Sequence, residues 1–220
     1  MITKASDMVV KNLLEAITKG ELRPGGKVPT TQTLAQQSGT SVVSAREAVQ
    51  SLATIGILEI CHGRGIFLTD GAPVMEELLE ARRVLESQHA LMAAQSGSTE
   101  FIYGLEDILD EMDAVTEAGD IEAFSQKDIE FHFAIGKASG NRILFKTLMN
   151  IRNLLRYQLF TINRFPNIIQ RSNGRHWEIF EAIRKRDPEK ARSSMWDHMT
   201  ETIDAWKEHM AVLENTEKQA

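Results

Sequence analysis

Apolar residues follow helical spacing along most of this chain, but around residues 58–68 they alternate with period two. Segments 58–60 and 66–68 flank the sequence His62-Gly63-Arg64-Gly65. Glycine tolerates the positive φ angles that a tight turn requires. The pattern therefore predicts a two-stranded β-hairpin with its turn at these glycines.

Three helices are predicted ahead of the hairpin. The first spans about residues 7–19, with its apolar positions on one face. Thr30 can cap a short second helix, and Ser41 can cap a third helix that runs to about residue 54. Helix, short helix, turn, helix and hairpin is the element order of a winged helix-turn-helix, which we assign to residues 1–70.

Helical periodicity continues after Asp70-Gly71-Ala72-Pro73, which we interpret as a domain boundary. We predict an all-helical bundle of about six helices over residues 75–213. The chain as a whole is therefore predicted to be mainly α, with its strands in the hairpin. The expected helices are 75–96, 99–118, 121–138, 142–164, 168–186 and 188–213.

Composition and charge indicate the cellular compartment of the chain and its possible partners. Cys61 is the single cysteine, which excludes a disulfide within the chain and fits a reducing cytoplasm. No apolar run approaches the ~18 residues of a membrane span, so we expect a cytoplasmic protein without a membrane partner. The net charge is −6, yet residues 1–72 hold seven basic and six acidic side chains. This near-neutral head permits DNA binding if its basic residues meet phosphates.

The second helix of a helix-turn-helix enters the major groove, and residues near its N-terminus reach bases or phosphates. The hairpin tip can follow the minor groove as a wing. Alternatively, these charges are solvated surface residues and the hairpin is only a lid. The candidate DNA contacts are Ser41, Ser44, Arg46 and Gln50 on the helix, and His62, Gly63 and Arg64 at the tip.

Residues 8–69 resemble the DNA-binding domain of the GntR family of bacterial transcription regulators. The family normally has two arginines at positions that Gln32 and Val42 occupy here. The resemblance therefore implies the fold and the DNA contacts, but an operator that differs from the usual family sequence. The strings that carry it are GELRPGGKVP at 20–29, LA at 34–35, GTS at 39–41, REAV at 46–49 and GRGIF at 63–67.

Asp128 and His132 are four residues apart and share one face of a predicted helix. A carboxylate and an imidazole so placed can bind one divalent ion, although the pair could also be a surface ion pair. Their neighbours are apolar, and a buried histidine is costly unless it is paired. His176 and His198 on later helices could share the ion. The other histidines on the predicted bundle helices, expected to be structural or solvent-facing, are His89 and His209.

The C-terminal part resembles the FCD effector domain of the FadR subfamily of GntR regulators. The resemblance implies that Asp128, His132, His176 and His198 bind a metal ion, often zinc or nickel, and that a carboxylate effector completes its coordination. The strings that carry it are EARRVLE at 80–86, DIEFH at 128–132, ASGN at 138–141, His176 and His198.

Two residues are candidates for binding the effector itself. Arg82 can bind a carboxylate bidentately through its guanidinium, but it could equally be a surface charge paired with Glu86 at i+4. Asn141 is a candidate pocket donor, but it could equally cap a helix.

These observations predict a repressor that dimerises, binds a palindromic operator in double-stranded DNA and responds to a small organic acid. Two alternatives remain at this point. The Asp/His₃ site could activate water in a metal-dependent hydrolase, or the metal could be purely structural. No motif supplies a separate general base, which favours a regulator over an enzyme.

Overall fold

The computed structural model describes residues 5–69, 72–151, 154–155, 158–159, 162–165 and 167–217. The chain divides into two compact units, Met1–Met75 and Glu76–Ala220. Each unit buries an apolar core of its own. They are described separately below.

The helices of the first unit are α1 (Ala5–Thr18), α2 (Thr31–Gln37) and α3 (Val42–Thr54). The Thr30 side chain caps α2 by accepting the Thr33 N–H, and the Ser41 hydroxyl caps α3 by accepting the Ser44 N–H. These caps satisfy backbone donors that a helix start leaves unpaired. α1 packs on α3. The residues that the two helices bury are Val9, Val10, Leu13, Leu14, Ala45, Ala48, Val49 and Leu52.

The predicted hairpin is present as β2 (Leu58–Cys61) and β3 (Gly65–Leu68). Gly63 in its turn has a φ of 73°. A third strand, β1 (Lys27–Val28), pairs antiparallel with β3 and gives the sheet order β1-β3-β2. The sequence analysis missed this strand because two residues are too few to display an alternating pattern.

The described part of the second unit is built from helices. The side-chain oxygens of Ser98, Asp120 and Asn141 cap the N-termini of three of them. No described helix is long and apolar enough to cross a membrane. The helices are α4 (Ala72–Ser96), α5 (Thr99–Glu117), α6 (Ile121–Ala138), α7 (Arg142–Asn150), α8 (Ile168–Arg184) and α9 (Pro188–Glu217).

The predicted helix 142–164 is interrupted, which corrects the sequence analysis. α7 ends at Asn150, and the Ile151 N–H donates to the Leu148 carbonyl instead of continuing the regular ladder. Helical bonding then resumes, since the Leu155 N–H donates to the Ile151 carbonyl over 2.9 Å. Leu148, Leu155 and Leu159 belong to one buried cluster. Because the apolar stripe runs through the interruption, periodicity alone predicted a single helix.

Helices α6, α8 and α9 turn apolar faces inward, and α8 packs on both α5 and α9. Each of the three also carries buried polar side chains among its apolar ones. The core therefore contains a polar centre. Its apolar surroundings include Phe124, Phe131, Ile135, Ile179, Phe180, Ile183, Met195, Met199 and Ile203.

Candidate functional site

Three histidines from three different helices meet inside the second unit. His132 lies on α6, His176 on α8 and His198 on α9, and all three are buried. One ring nitrogen of each lies within 4.8 Å of the corresponding nitrogens of the other two. Residues far apart in sequence are thus brought to the spacing of ligands around a single metal ion.

The Asp128 carboxylate adjoins this cluster. Its Oδ1 lies 3.1 Å from His132 Nε2 and 3.5 Å from His176 Nε2. Its Oδ2 accepts a hydrogen bond of 3.2 Å from Asn163 Nδ2, which also donates to Ser125 Oγ over 3.0 Å. Asn163 therefore fixes one carboxylate oxygen while the other faces the imidazoles.

Several buried atoms of this cluster lack hydrogen-bond partners among the described residues. They include both ring nitrogens of His176, whereas the ring nitrogens of His132 contact the Glu86 and Asp128 carboxylates. Leaving a buried polar group unpaired costs about 1–3 kcal/mol. Imidazole nitrogens with one carboxylate form a ligand set that suits zinc and similar divalent ions. The residues present therefore fit a divalent metal ion.

Glu86 on α4 connects this cluster to Arg82. Its Oε2 contacts His132 Nδ1, and its Oε1 accepts a hydrogen bond of 2.7 Å from Arg82 Nε. A carboxylate behind a histidine typically orients the ring for metal binding. Sequence analysis considered Glu86 only as a surface partner of Arg82. Spacing could not have revealed its contact with His132, because the two residues lie on different helices.

Burial and neighbouring charges set the protonation of the carboxylates. Burial alone would raise the pKa of Glu86, but the Arg82 and His132 cations hold it well below its usual range. The pKa of Asp128 is likewise held low, against its burial, by the three histidines around it. Both side chains are therefore anions at neutral pH.

The histidines differ from one another in protonation. Burial lowers the pKa of His132, but the Glu86 and Asp128 carboxylates outweigh it and raise that pKa to about 9. Burial lowers the pKa of His176 to about 4 and that of His198 well below its ordinary value. Without a metal, His132 is the charged member of the cluster at neutral pH, and the other two are neutral.

Arg82 is fully buried, so the interpretation of Arg82 and Glu86 as a surface pair is wrong. Its Nη1 donates a hydrogen bond of 2.8 Å to Gln158 Oε1. Its Nη2 and the Nε2 of Gln158 find no acceptor among the described residues. Two buried donors without acceptors are therefore found at the Arg82–Gln158 pair. Glu86 links Arg82 to His132. Gln158 was missed because nothing in its local sequence marks it.

Asn141 caps a helix, which is one of the two roles expected for it. Its Oδ1 accepts hydrogen bonds of 3.1 Å from the N–H groups of Ile143 and Leu144, so it caps α7. Asn141 lines an open groove whose lining also includes Arg142 and Lys146, but neither Arg82 nor the metal-site histidines. Contact between Asn141 and an effector stays a prediction.

The two remaining histidines of the second unit behave differently from each other. His89 is buried on α4 beside Gly136, so it is not solvent-facing and the structural alternative applies to it, and burial lowers its pKa. The polar residues next to His89 in the sequence lie on other faces of α4, so they gave no sign of its burial. His209 is half-buried and stacks on Phe165, with 3.8 Å between ring centroids.

The candidate DNA contacts are accessible in the first unit. Arg46 and Gln50 are exposed on α3. The Ser41 and Ser44 hydroxyls lie 3.0 Å apart and hydrogen-bond to each other at the helix start. The Arg64 guanidinium lies 5.7 Å from the Phe67 ring centroid, and the rest of the tip, His62 and Gly63, is exposed.

A winged helix-turn-helix unit followed in the chain by an all-helical unit is the arrangement of a DNA-binding transcription regulator. Residues 5–68 match the family model described as bacterial regulatory proteins of the gntR family, and residues 77–201 match the FCD domain. The chain belongs to the GntR family of DNA-binding transcription regulators and carries an FCD domain. Both resemblances drawn from the sequence are confirmed.

Two relatives and one solved structure illustrate the likeness. The HTH-type transcriptional regulator LutR of Bacillus subtilis is 27% identical over 212 residues, which cover 86% of this chain and 94% of LutR. An Escherichia coli protein assigned to regulation of the L-lactate dehydrogenase operon is 28% identical over 227 residues, covering 90% of this chain and 84% of that protein. E. coli McbR/YncC shares the fold, with a TM-score of 0.73, 20% identity and coverage of 95% and 100%.

The relatives also decide between the function classes. These relatives are described as transcription regulators, which favours a transcription regulator over the hydrolase alternative. Its mainly helical fold, with a small sheet in the DNA-binding unit, agrees with the fold class predicted from sequence.

Proposed function

We propose that this chain is a repressor that binds a palindromic operator as a homodimer and responds to a small carboxylate bound beside a divalent metal ion. The observation that carries the effector role is the pair of unpartnered donors, Arg82 Nη2 and Gln158 Nε2, buried next to the histidine cluster. Buried donors are normally paired. A bound anion would supply the missing acceptors.

The metal ligands in this proposal are Asp128, His132, His176 and His198, and zinc or nickel are the ions that suit them. The unpaired ring nitrogens of His176 and the spacing of the three histidines support this assignment. When bound, the ion supplies a fixed positive charge for an anionic effector. An ion that accepts five or six ligands would keep one or two positions for that effector.

Arg82 is the residue that we expect to bind the effector carboxylate. Its Nε and Nη1 are held by Glu86 and Gln158, so the guanidinium is fixed with Nη2 available. A guanidinium bound to a carboxylate is a strong, oriented interaction. Hydroxy acids, sugar acids and dicarboxylates are the candidate class. The relative assigned to an L-lactate dehydrogenase operon supports this chemistry, since lactate is a hydroxy acid.

DNA binding and its release by an effector test the proposal directly. A duplex selected from a random library by the purified protein serves as the operator, and candidate carboxylates are titrated into the complex. A true effector should change operator affinity by about 5- to 150-fold, the range of typical allosteric coupling. Two-fold symmetry of the protein should appear as a palindrome in the selected sequence and as a dimer in light scattering. If no carboxylate changes the affinity, the sensing role fails.

Arg46→Ala and Arg64→Ala are each expected to weaken operator binding without changing helical content. Each phosphate contact contributes about −0.9 to the slope of log affinity against log salt, so a dimer that loses two contacts should show a slope smaller by about two. Fluorescence anisotropy across a salt series measures this. Lys11→Ala is the control, because Lys11 is an exposed cation on α1 that pairs with Glu15. Parent-like slopes in both arginine variants would mean that the DNA surface lies elsewhere.

Metal uptake is expected to release about one proton per ion at pH 7. His132 has a pKa of about 9 in the metal-free protein, whereas His176 and His198 are already neutral. A ligating imidazole must be deprotonated at the metal-bound nitrogen, so His132 loses a proton on binding. The release should fall toward zero as pH rises above 9. Calorimetric titration with Zn²⁺ in buffers of different ionisation enthalpy counts the protons.

Glu86→Gln sharpens that experiment. It removes the carboxylate that raises the pKa of His132, so fewer protons should be released at pH 7. Zinc affinity should also drop by about 10- to 100-fold, as is usual when the partner of a ligating histidine is lost. Glu80→Gln, an exposed carboxylate on the same helix, should behave like the parent. Equal proton release from the parent and from Glu86→Gln would contradict the role given to Glu86.

A further inference from the structure

We propose that Val43 contacts the methyl group of a thymine in the major groove, so that each operator half-site requires thymine at one symmetric position. The proposal rests on the placement of α3 in the groove given above and adds what that helix recognises. Its basis is the position of one apolar side chain on the exposed face of α3.

Val43 lies opposite the buried face of α3. The helix turns Ala45, Ala48, Val49 and Leu52 toward the core, whereas 65% of the Val43 side chain is exposed. Arg46 and Gln50, three and seven residues later, are exposed on the same stripe, because helical positions i, i+3 and i+7 share a face. A helix that brings Arg46 and Gln50 to DNA therefore brings Val43 as well, in its first turn.

The two serine hydroxyls at the start of α3 hydrogen-bond to each other and to the helix backbone. The Ser41 hydroxyl accepts the Ser44 N–H over 3.1 Å, and the two hydroxyls hydrogen-bond to each other. Position 42 carries a second valine, Val42, which is also exposed. The first turn of α3 thus presents two exposed valines, Val42 and Val43, between these serines.

One base edge in the major groove matches such a surface. Thymine presents a 5-methyl group there, whereas the other bases present hydrogen-bond donors and acceptors that a valine cannot satisfy. Isolated apolar residues are common on protein surfaces. Val43 differs from these because it shares a stripe with two candidate DNA contacts. A valine against a thymine methyl favours thymine over cytosine and over uracil, which lack that methyl group.

Replacing thymine by deoxyuracil tests the contact, because the exchange removes only the methyl group. Binding is measured on the duplex selected by the parent protein, with each thymine exchanged in turn in both half-sites. We expect one symmetric position at which the parent binds the uracil duplex about 4-fold more weakly per methyl, and roughly 15-fold for both half-sites, from the burial of one methyl-sized group. Val43→Ala should bind the thymine and uracil forms alike.

Two further variants keep this test decisive. Val43→Thr retains one γ-methyl and should retain part of the preference for thymine. Met8→Ala, an exposed apolar residue on α1, should discriminate like the parent. If no thymine exchange weakens the parent, or if Val43→Ala still discriminates, the proposal is overturned. A failed placement of α3 is recognised separately, since Arg46→Ala would then bind every duplex like the parent.

Discussion

His176→Ala is expected to reduce the metal content of the purified protein from about one ion per chain to nearly none. The ring of His176 on α8 lies against both His132 and His198, with centroids 5.4 and 4.6 Å away. Its burial keeps it neutral at neutral pH, which suits it as a ligand. Removing one of four ligands leaves a site that holds zinc weakly. Elemental analysis after dialysis against micromolar zinc measures the occupancy.

The same variant should lose the thermal stability that metal binding adds. An ion present at 100 times its dissociation constant stabilises the folded state by ~2.7 kcal/mol, which corresponds to roughly 5–10 °C in a chain of this size. A chelator should therefore lower the Tm of the parent by about that amount and leave His176→Ala unchanged. Measuring the chelator effect separates metal loss from the cavity that the substitution creates.

His89→Ala is the matched control for that experiment. His89 is another buried histidine of the same unit, but it lies outside the histidine cluster. Its removal should lower Tm through packing while metal content and the chelator effect stay as in the parent. Full occupancy in His176→Ala, or loss of metal in His89→Ala, would show that the ligands are assigned wrongly.

Arg82→Lys is expected to abolish stabilisation by a carboxylate effector while the metal stays bound. The lysine keeps a positive charge near Glu86. It lacks both the N–H group that donates to Gln158 and the unpaired Nη2 that we expect to bind the effector. A guanidinium and an ammonium are not equivalent at such a site. Thermal shift with hydroxy acids, sugar acids and dicarboxylates identifies the effector in the parent, and the hit is then measured with the variant.

Arg83→Lys provides the comparison on the same helix. The Arg83 guanidinium lies 4.4 Å from the Trp196 ring centroid, on another face of α4 from Arg82. This variant should respond to the effector like the parent. Removing the metal from the parent should also abolish the response. If the effector stabilises the metal-free protein or Arg82→Lys as strongly as the parent, then the metal is structural and the effector binds elsewhere.

Local signals in the sequence were enough for much of the fold. The capping residues Thr30 and Ser41 and the glycines of the hairpin lie where short-range hydrogen bonding and backbone geometry require them. β1 and the interruption after Asn150 were missed, since the first is too short for a periodic pattern and the second leaves the apolar stripe intact.

The candidate site likewise contains residues that were predicted from the sequence and residues that were not. Asp128 and His132 were found because their spacing places them on one helical face. His176 and His198 were candidates as histidines on later helices, and the family resemblance supported them as ligands. The residues behind them were not found. Glu86 contacts His132, Asn163 contacts Asp128 and Gln158 contacts Arg82 through tertiary packing, and no spacing along the chain records such contacts.

The distribution of the histidines over three helices bears on how the second unit opens. His132 and His176 are 44 residues apart in the chain, and His176 and His198 are 22 apart. An ion bound to all three would cross-link α6, α8 and α9, so none of them could detach alone without breaking a metal bond. Partial openings that otherwise occur helix by helix would merge into one cooperative event. Backbone amides of these helices would then exchange with solvent at a common slow rate, and a chelator would restore separate rates for each.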